Sequence, residues 1–487
     1  MQTRPPGTRP TPHAASAASR SNVGAVRRVV ARAKVVQQAA NGGIDAVSLL
    51  GVYVVLLMIV PSRLVMPGLG SIGTFANIYA LMALMWLGAS WLMRRVTPLT
   101  GTWPPRFAVG FLSIAVLLSY VAFARRGGSG LETNAADRGI IQLVAWISLV
   151  LLASSVRSEE RLNKLLRLVV RCAAIIAVIG IIEFFLRRDI LGWVQIPGLD
   201  ATTVTLGSMT RGDFTRPYST AIHPLEFATT LATILPFAIQ QAFYRLDVSR
   251  TQRWLPVGLI TVATLMTVSR TAVIGVAVAL IVLVPTWSSQ RRWPTLALLV
   301  VGLGVVKVAI PGLLGTLYAL FSTLLNGGDS STQARTGDYA DVFGYVALTP
   351  WTGRGFGTFL PVLYRYTDNM YLLALVEMGV VGVLAVLVLL GTMLHCAGGG
   401  RRRFTEPRLR ELGQSFTASA AVLLVCTATF DTLSFPQVSG LLFLLLGLSG
   451  VYLGLARQHQ ASVWLSPSHL SSTANPIMTP TPSESSR

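Results

Sequence analysis

The residues whose chemistry stands out lie in one segment, 335–382, where a polar loop rich in glycine and aromatic residues runs into an apolar stretch. Arg335, Arg354 and Asp368 lie in its polar part. The planar fork of an arginine matches the oxygens of a phosphate, and a carboxylate can accept a proton. The segment therefore predicts an active site for a phosphate-bearing lipid, closed by this loop where water meets lipid.

Two more candidate residues, Arg216 and His223, precede an apolar run that begins near residue 222. Pro217 and Pro224 predict an irregular start to the helix there. His223 and Glu226 are three residues apart, so they share a face if the segment is helical. Two plainer interpretations stay open, in which Arg216 is a solvated loop charge and His223 a histidine at a helix start.

A third position, Ser269-Arg270, interrupts an apolar run that covers residues 255–287. A single helix of this length would measure about 50 Å, whereas the hydrocarbon core of a bilayer is roughly 30 Å thick. We therefore expect two short helices with a turn at Ser269-Arg270. Arg270 would then lie below the headgroups and face a wet cavity, unless its side chain extends to the interface.

The elements that must position these residues are membrane helices. The chain has 487 residues, of which 52% are hydrophobic and 12% charged, about half the charged fraction of a soluble domain. We predict an all-α polytopic membrane protein with about twelve transmembrane helices and one large extracytoplasmic loop, 313–368, between spans 9 and 10. The predicted spans are 44–60, 72–93, 107–124, 139–155, 167–186, 222–243, 255–268, 271–287, 294–312, 369–394, 412–430 and 437–456.

The basic residues set the predicted orientation. The net charge is +20, and most of the 40 Lys and Arg residues fall in segments that are cytosolic if both termini are cytosolic. This favours loops that contact anionic lipid headgroups over nucleic-acid binding. The polytopic domain covers 43–456. We expect 1–42 to be a disordered basic cytosolic tail rather than a cleaved signal peptide, and 457–487 to be a disordered cytosolic tail.

Each candidate in the large loop also has a structural interpretation. Arg354 lies among Gly353, Gly355 and Gly357, which lets the backbone approach a ligand, yet it is also compatible with an ordinary turn or an ion pair. An ion pair is equally open for Arg335, with Asp338 or Asp341 as candidate partners for either arginine. Asp368 is a good helix N-cap. Glu377, about 13 Å further along the helix, is interpreted as a buried structural carboxylate.

At these positions the chain resembles the O-antigen ligase and O-antigen polymerase-like membrane proteins of bacterial surface-polysaccharide assembly. Arg216 matches the family's outer arginine before a mid-chain span, and Ser269-Arg270 matches its Ser-Arg at a helix break. Asp368-Asn369, nine residues and then Gly379-x-x-Gly382 match the end of its large outer loop. The family's frequent histidine is Asp368 here. The resemblance covers roughly 44–456.

The resemblance implies a fold like that of type C membrane glycosyltransferases. It also implies transfer of a glycan from a polyprenyl-diphosphate carrier to a glycan or lipid acceptor hydroxyl on the outer face of the cytoplasmic membrane, without a metal or cofactor. Arg216, Arg270, Arg354 and Arg335 would bind the diphosphate. Asp368 would be the base, with His223 the second candidate, and Asn369 and Tyr371 would position substrate.

Other classes of function stay open. A lipid or glycolipid transporter would also carry charges within spans, but it more often has two related halves, which this sequence lacks. A non-catalytic partner of other polysaccharide assembly proteins would use the basic tails instead. A cell-wall glycan polymerase would use the same kind of lipid donor, although its motifs are not found here. The sequence does not distinguish polymerase from ligase.

Overall fold

The structure is a computed structural model that describes residues 46–93, 103–201, 210–211, 214–309, 342–365 and 367–464, together with residues 312, 315, 318 and 322. Within this part of the chain the fold is all-helical, with two short antiparallel strand pairs. Strand β1 (Leu64–Val65) pairs with β2 (Asp200–Ala201), and β3 (Thr210–Arg211) pairs with β4 (Phe214–Thr215).

Residues 342–348 are helical, and twelve longer α-helices each overlap one predicted span. They are α1 (Ala46–Ile59), α2 (Phe75–Leu92), α3 (Pro104–Arg126), α4 (Gly130–Ala153), α5 (Glu159–Leu186), α6 (Pro224–Tyr244), α7 (Arg250–Met266), α8 (Arg270–Leu283), α9 (Ser289–Ala309), α10 (Met370–Arg403), α11 (Pro407–Cys426) and α12 (Pro436–Trp464).

Six of these helices, α2, α3, α4, α5, α10 and α12, are long and apolar enough to cross a membrane, and two shorter apolar helices cover Ala46–Ile59 and Arg270–Thr286. The protein is therefore an integral membrane protein. Several helices extend past the predicted spans: α12 continues to Trp464, so residues 457–464 are helical and not part of a disordered tail. Hydropathy identifies only the part of a helix that lies in lipid. The helix itself, with its backbone hydrogen bonds, continues beyond that part into water.

Contacts between helix ends show that successive helices alternate in direction. Arg291, near the start of α9, lies 3.0 Å from Glu411 of α11, and Arg408 of α11 pairs with Glu159 at the start of α5. The starts of α5, α9 and α11 therefore lie together. We call this the turn end of the bundle, because short connections such as 404–406 close it.

The opposite end carries the long connections and is called the loop end. Here Ser62 donates its backbone N–H to the carbonyl of Thr220 at 2.8 Å, which joins the connection after α1 to the one before α6. Connections 60–74, 187–223 and 342–369 all reach this end. The alternation places the start of α1 and the end of α12 at the turn end.

The core of the bundle lies around α12, the most buried of the six long apolar helices. Phe443 of α12 stacks on Trp146 of α4 with ring centroids 4.6 Å apart. Gly447 lets α12 approach Ala153 closely, since a side chain at Gly447 would meet the Ala153 methyl. Small residues at such crossings are typical of membrane bundles, where close van der Waals packing drives helix association.

Helix α10 bends at Gly379, whose φ of 66° and ψ of −163° are not helical. The carbonyls of Val376 and Glu377, which precede the bend, accept hydrogen bonds of 2.9 Å from the backbone N–H groups of Arg354 and Gly355. The connection 342–369 therefore packs on the bend. This explains physically why a glycine is needed at the first position of the Gly-x-x-Gly pattern.

We expect Gly379→Ala to destabilise the protein by more than about 2 kcal/mol. An alanine would keep an unfavourable φ, and its methyl group would overlap the backbone of Trp351. Gly391→Ala in the same helix is the matched control, because its methyl group would meet no atom within 4 Å. Monodisperse yield in detergent and thermal unfolding measure the difference. Equal stability of the two variants would contradict the structural role assigned to Gly379.

Candidate functional site

Arg216 and Arg270 meet at the turn between α7 and α8. The chain turns at residues 267–269, as the sequence predicts, and Arg270 is the first residue of α8. Arg216 is only 5% exposed, and its Nε donates a 3.0 Å hydrogen bond to the carbonyl of Thr267. Two arginines that are 54 positions apart in the chain therefore belong to one turn, Arg216 through its guanidinium and Arg270 through its backbone.

The turn owes its shape to Val268. Helix α7 ends at Met266, and Val268 has a φ of 46°, in the left-handed region that a β-branched residue rarely adopts. Ser269 then returns to an extended conformation and precedes α8. A costly backbone conformation persists only where the surrounding structure imposes it. At this turn it brings the start of α8 next to Arg216.

The starts of α8 and α10 contact the same turn, which follows α11. The hydroxyl of Thr271 donates to that of Thr429 at 3.1 Å, and the backbone N–H of Met370 donates to the carbonyl of Thr427 at 3.0 Å. Arg270 directly precedes Thr271, and Asp368 lies two residues before Met370. Hence the predicted arginine and the predicted carboxylate flank one three-residue turn at the loop end.

Asp431, a residue that the sequence analysis did not single out, belongs to the same group. It lies in the connection between α11 and α12, and burial raises the pKa of its carboxyl to about 7, with the charge of Asp368 adding to the shift. A hydrogen bond with Ser434 acts in the opposite direction. In the sequence, Asp431 is an acidic residue between the last two predicted spans, on the loop side. No motif marks it as a functional residue.

His223 caps the start of α6. Its Nδ1 accepts a 3.1 Å hydrogen bond from the backbone N–H of Leu225, so in the neutral ring the proton resides on Nε2. The ring lies 6.1 Å from that of Phe435, in the connection that contains Asp431. In this state Nδ1 is used by the cap and Nε2 carries the proton, so the ring is not set up to act as a base.

Asn369, not Asp368, is the N-cap of α10. Its Oδ1 accepts hydrogen bonds from the backbone N–H groups of Tyr371 at 2.9 Å and Leu372 at 3.4 Å. The Tyr371 hydroxyl donates to the carbonyl of Leu424 at 2.8 Å. Both side chains thus hold the start of α10 in place, and their predicted contact with substrate stays a prediction. The carboxylate of Asp368 is exposed and is not used as the cap.

Arg354 lies in a different, packed environment. It is 8% exposed and lies against the rings of Tyr345 and Tyr364, 4.7 Å and 4.9 Å from their centroids. Its Nη2 donates to the Tyr364 hydroxyl at 2.7 Å and lies 4.0 Å from Glu132 of α4. These contacts match the ion-pair interpretation of Arg354, although the partner is Glu132; Asp338 and Asp341 lie outside the described residues.

We expect Arg354→Gln to lower the free energy of unfolding by about 3 kcal/mol, the cost of removing one member of a buried charge pair. Glycan transfer per folded molecule should fall less than about threefold, because the packed site lies apart from the turn that joins Arg216 to Arg270. Thermal unfolding and transfer by the purified protein measure the two effects. Arg188→Gln, which changes an exposed arginine at the loop end, is the control. A stable but inactive Arg354→Gln variant would instead support its predicted binding role.

Arg335 and Glu377 are the two remaining residues that the sequence analysis discussed. Arg335 lies outside the described residues, so its predicted role stays a prediction. Glu377 is 4% exposed, and its carboxylate accepts hydrogen bonds from the backbone N–H groups of Gly357 and of Phe359, the latter at 3.1 Å. It holds the connection 342–369 on the bend of α10, in the structural role that the sequence predicts.

The loop end therefore brings Arg216 and Arg270 to one turn and Asp368 and Asp431 to the neighbouring segments, with the ring of His223 near the connection that contains Asp431. Guanidinium groups can hold a phosphate or diphosphate, and a carboxylate of raised pKa can exchange a proton near neutral pH. In the part of the chain that the structure describes, no group of three or more His, Cys, Asp or Glu is arranged to hold a metal ion.

Comparison with known families finds a family model that is similar to part of this chain. Residues 255–387 match the family model described as O-antigen ligase, which covers α7, α8, α9 and the first half of α10. The matched region contains Arg270, Asp368 and Gly379, whereas Arg216 and Asp431 lie outside it. A search of curated proteins found none that matches the chain. Residues 255–387 are thus similar to O-antigen ligases, and the apolar helices show that the chain is an integral membrane protein.

Proposed function

We propose that this protein transfers a glycan from a polyprenyl-diphosphate carrier to an acceptor hydroxyl on the outer face of the cytoplasmic membrane. The O-antigen ligase match supports a role in glycan transfer in general. The specific proposal rests on one observation: at the loop end, the starts of α8 and α10 both contact the turn 427–429. This observation supports a site in which arginines bind the diphosphate and Asp368 acts as the base.

The arginines act on the leaving group. When the bond between the anomeric carbon and the carrier oxygen breaks, its electron pair moves to the diphosphate, and negative charge grows there. Arg216 and Arg270, held at the turn 267–270, bind these oxygens. Their attraction to the diphosphate is greater in the transition state than in the bound substrate, and this difference accelerates the reaction.

The carboxylates act on the acceptor. Its hydroxyl oxygen forms the new bond to the anomeric carbon, and its proton passes to Asp368. A base on the face opposite the diphosphate favours inversion of configuration. Asp431 lies close enough to Asp368 for their charges to interact, and its carboxylate, when ionised, adds negative charge that attracts the proton of the acceptor. His223, whose Nδ1 is occupied by the cap, donates its Nε2–H to substrate rather than serving as the base.

The proposed orientation places the loop end outside the cell and the turn end in the cytosol. The alternating helices put the start of α1 and the end of α12 at the same end of the bundle. The turn end carries the basic clusters Arg401, Arg402 and Arg403 of α10 and Arg157, Arg161 and Arg167 near the start of α5. Basic residues are retained on the cytosolic side, which supports this orientation.

Glycolipid profiling of a strain that lacks the gene tests the proposal. Accumulation of single repeat units on the carrier would indicate a polymerase, and accumulation of full-length polymer on the carrier would indicate a ligase. An unchanged glycolipid profile would contradict glycan transfer of either kind. If the purified protein in proteoliposomes instead moved a labelled lipid between leaflets without transferring glycan, the transporter alternative would replace the proposal.

A further inference from the structure

A cavity of about 310 Å³ opens at the turn end, far along the helices from the candidate active site. It lies between α5, α6 and α7. Three arginines line it: Arg171 of α5, Arg245 at the end of α6, and Arg253 of α7. This volume is within the range of about 300–1,000 Å³ that is usual for small-molecule sites. The cavity is therefore large enough for a compact anion with part of an attached chain.

The arginines of this cavity have unused hydrogen-bonding capacity. The Nε atoms of Arg245 and Arg253 are buried and have no hydrogen-bond partner among the described residues. Arg245 reaches Asp247 through Nη2 at 3.2 Å, whereas the side chains of Arg171 and Arg253 form no ion pair within the described part of the chain. An anion in the cavity would accept charge-assisted hydrogen bonds from the guanidinium groups that line it.

Neighbouring groups keep the cavity positive. A second cavity of about 130 Å³ adjoins it, shares Gln241 and Arg245, and adds Arg167 and Arg408. Asp247 is the one acidic residue that lines either cavity in the described structure. Arg408 is already paired with acidic residues, but Arg167, Arg171 and Arg253 leave a clear excess of positive charge.

The rest of the lining is apolar. Val170, Ala238, Val248 and Pro256 contribute carbon surface beside the arginines. A soluble phosphate would leave this surface in contact with water, whereas the glycerol and first methylenes of a lipid would cover it. Basic pockets between helices at the cytosolic side are typical sites for anionic lipid headgroups.

We propose that this arginine-lined cavity binds the phosphate of an anionic phospholipid. The guanidinium groups of Arg171, Arg245 and Arg253 contact the phosphate oxygens, and the apolar lining contacts the start of the acyl chains. The inference does not depend on glycan transfer, because the cavity lies at the opposite end of the bundle from Arg270 and Asp368.

The test uses the full-length protein purified in a nonionic detergent, with phosphatidylglycerol added and bound lipid counted by native mass spectrometry. We expect one tightly bound phosphatidylglycerol in the wild type and at least about tenfold weaker binding in the double variant Arg171→Gln/Arg253→Gln, which loses charge-assisted hydrogen bonds. Val248→Trp should weaken binding as well by filling the cavity without a change of charge. Phosphatidylglycerol should raise the unfolding temperature of the wild type but not of the double variant.

The matched control is Arg402→Gln/Arg410→Gln, which removes two exposed arginines at the same end outside the cavity and should change binding less than about threefold. Zwitterionic phosphatidylcholine should bind weakly to every variant. Equal phosphatidylglycerol binding by the cavity variants and the control would overturn the proposal, and so would equal binding of the two lipids. Displacement of phosphatidylglycerol by glycerol phosphate at comparable concentration would overturn the lipid assignment in favour of a soluble phosphate.

Discussion

Arg270→Ala is expected to reduce glycan transfer by about 100- to 1,000-fold, the usual loss when one preorganised group that stabilises developing charge is removed. Arg270 starts α8 beside the turn that binds Arg216. Its loss would leave the leaving diphosphate with one cation fewer in the transition state. Complementation of polymer synthesis in a deletion strain, and transfer from a lipid-linked donor by the purified protein, measure the effect.

The controls for this prediction separate charge from geometry. Arg270→Lys keeps the charge but loses the planar fork, so its activity should lie between those of the wild type and the alanine variant. Arg188→Ala, at an exposed position of the loop end, should keep full activity. The assignment of Arg270 to the diphosphate is wrong if Arg270→Ala is folded, expressed normally and restores wild-type polymer.

The second large effect is expected at the two aspartates. Asp368→Asn should lower kcat by about 100- to 10,000-fold, the typical contribution of a positioned general base. Asp431→Asn should change how the rate of glycan transfer depends on pH. The pKa of Asp431 is raised to about 7, so in the wild type transfer should increase as pH rises through 7 and Asp431 becomes charged. Asp431→Asn should remove that increase.

As pH rises toward 7, the stability of the folded protein should fall, whereas glycan transfer should increase. Because the pKa of Asp431 is about 7 in the folded protein but near 3.8 when exposed, the folded state binds more protons between these values. The stability that Asp431 contributes is thus fully present at low pH and is lost as pH rises through 7. The unfolding temperature of the wild type should fall over this range relative to that of Asp431→Asn.

Asp200→Asn, at an exposed site of the loop end, is the matched control for both readouts and should behave as the wild type. A merely structural Asp431 would alter stability without altering the pH profile of transfer. If Asp431→Asn retained the rise of activity through pH 7, the proposed coupling between Asp431 and Asp368 would be contradicted.

The sequence by itself determined the helical membrane architecture. Long apolar runs predict helices because a chain in lipid must satisfy its own backbone hydrogen bonds, and each predicted span overlaps a helix of the structure. The turn at Ser269-Arg270 was predicted from the length of the run, 33 residues against one bilayer crossing, together with the distribution of basic residues between the segments that follow it. The resemblance to O-antigen ligases rested on residues that a family match now covers in part.

Only the tertiary structure decided which side chains share an environment. Asp431 joins Asp368 because the connection after α11 packs on the start of α10, a contact between segments about 60 residues apart. Arg354 pairs with Glu132, more than 200 positions away, instead of lying with Arg216 and Arg270. Hydropathy and helix signals depend on neighbours in the chain, whereas these pairings depend on how helices pack, which no local pattern encodes.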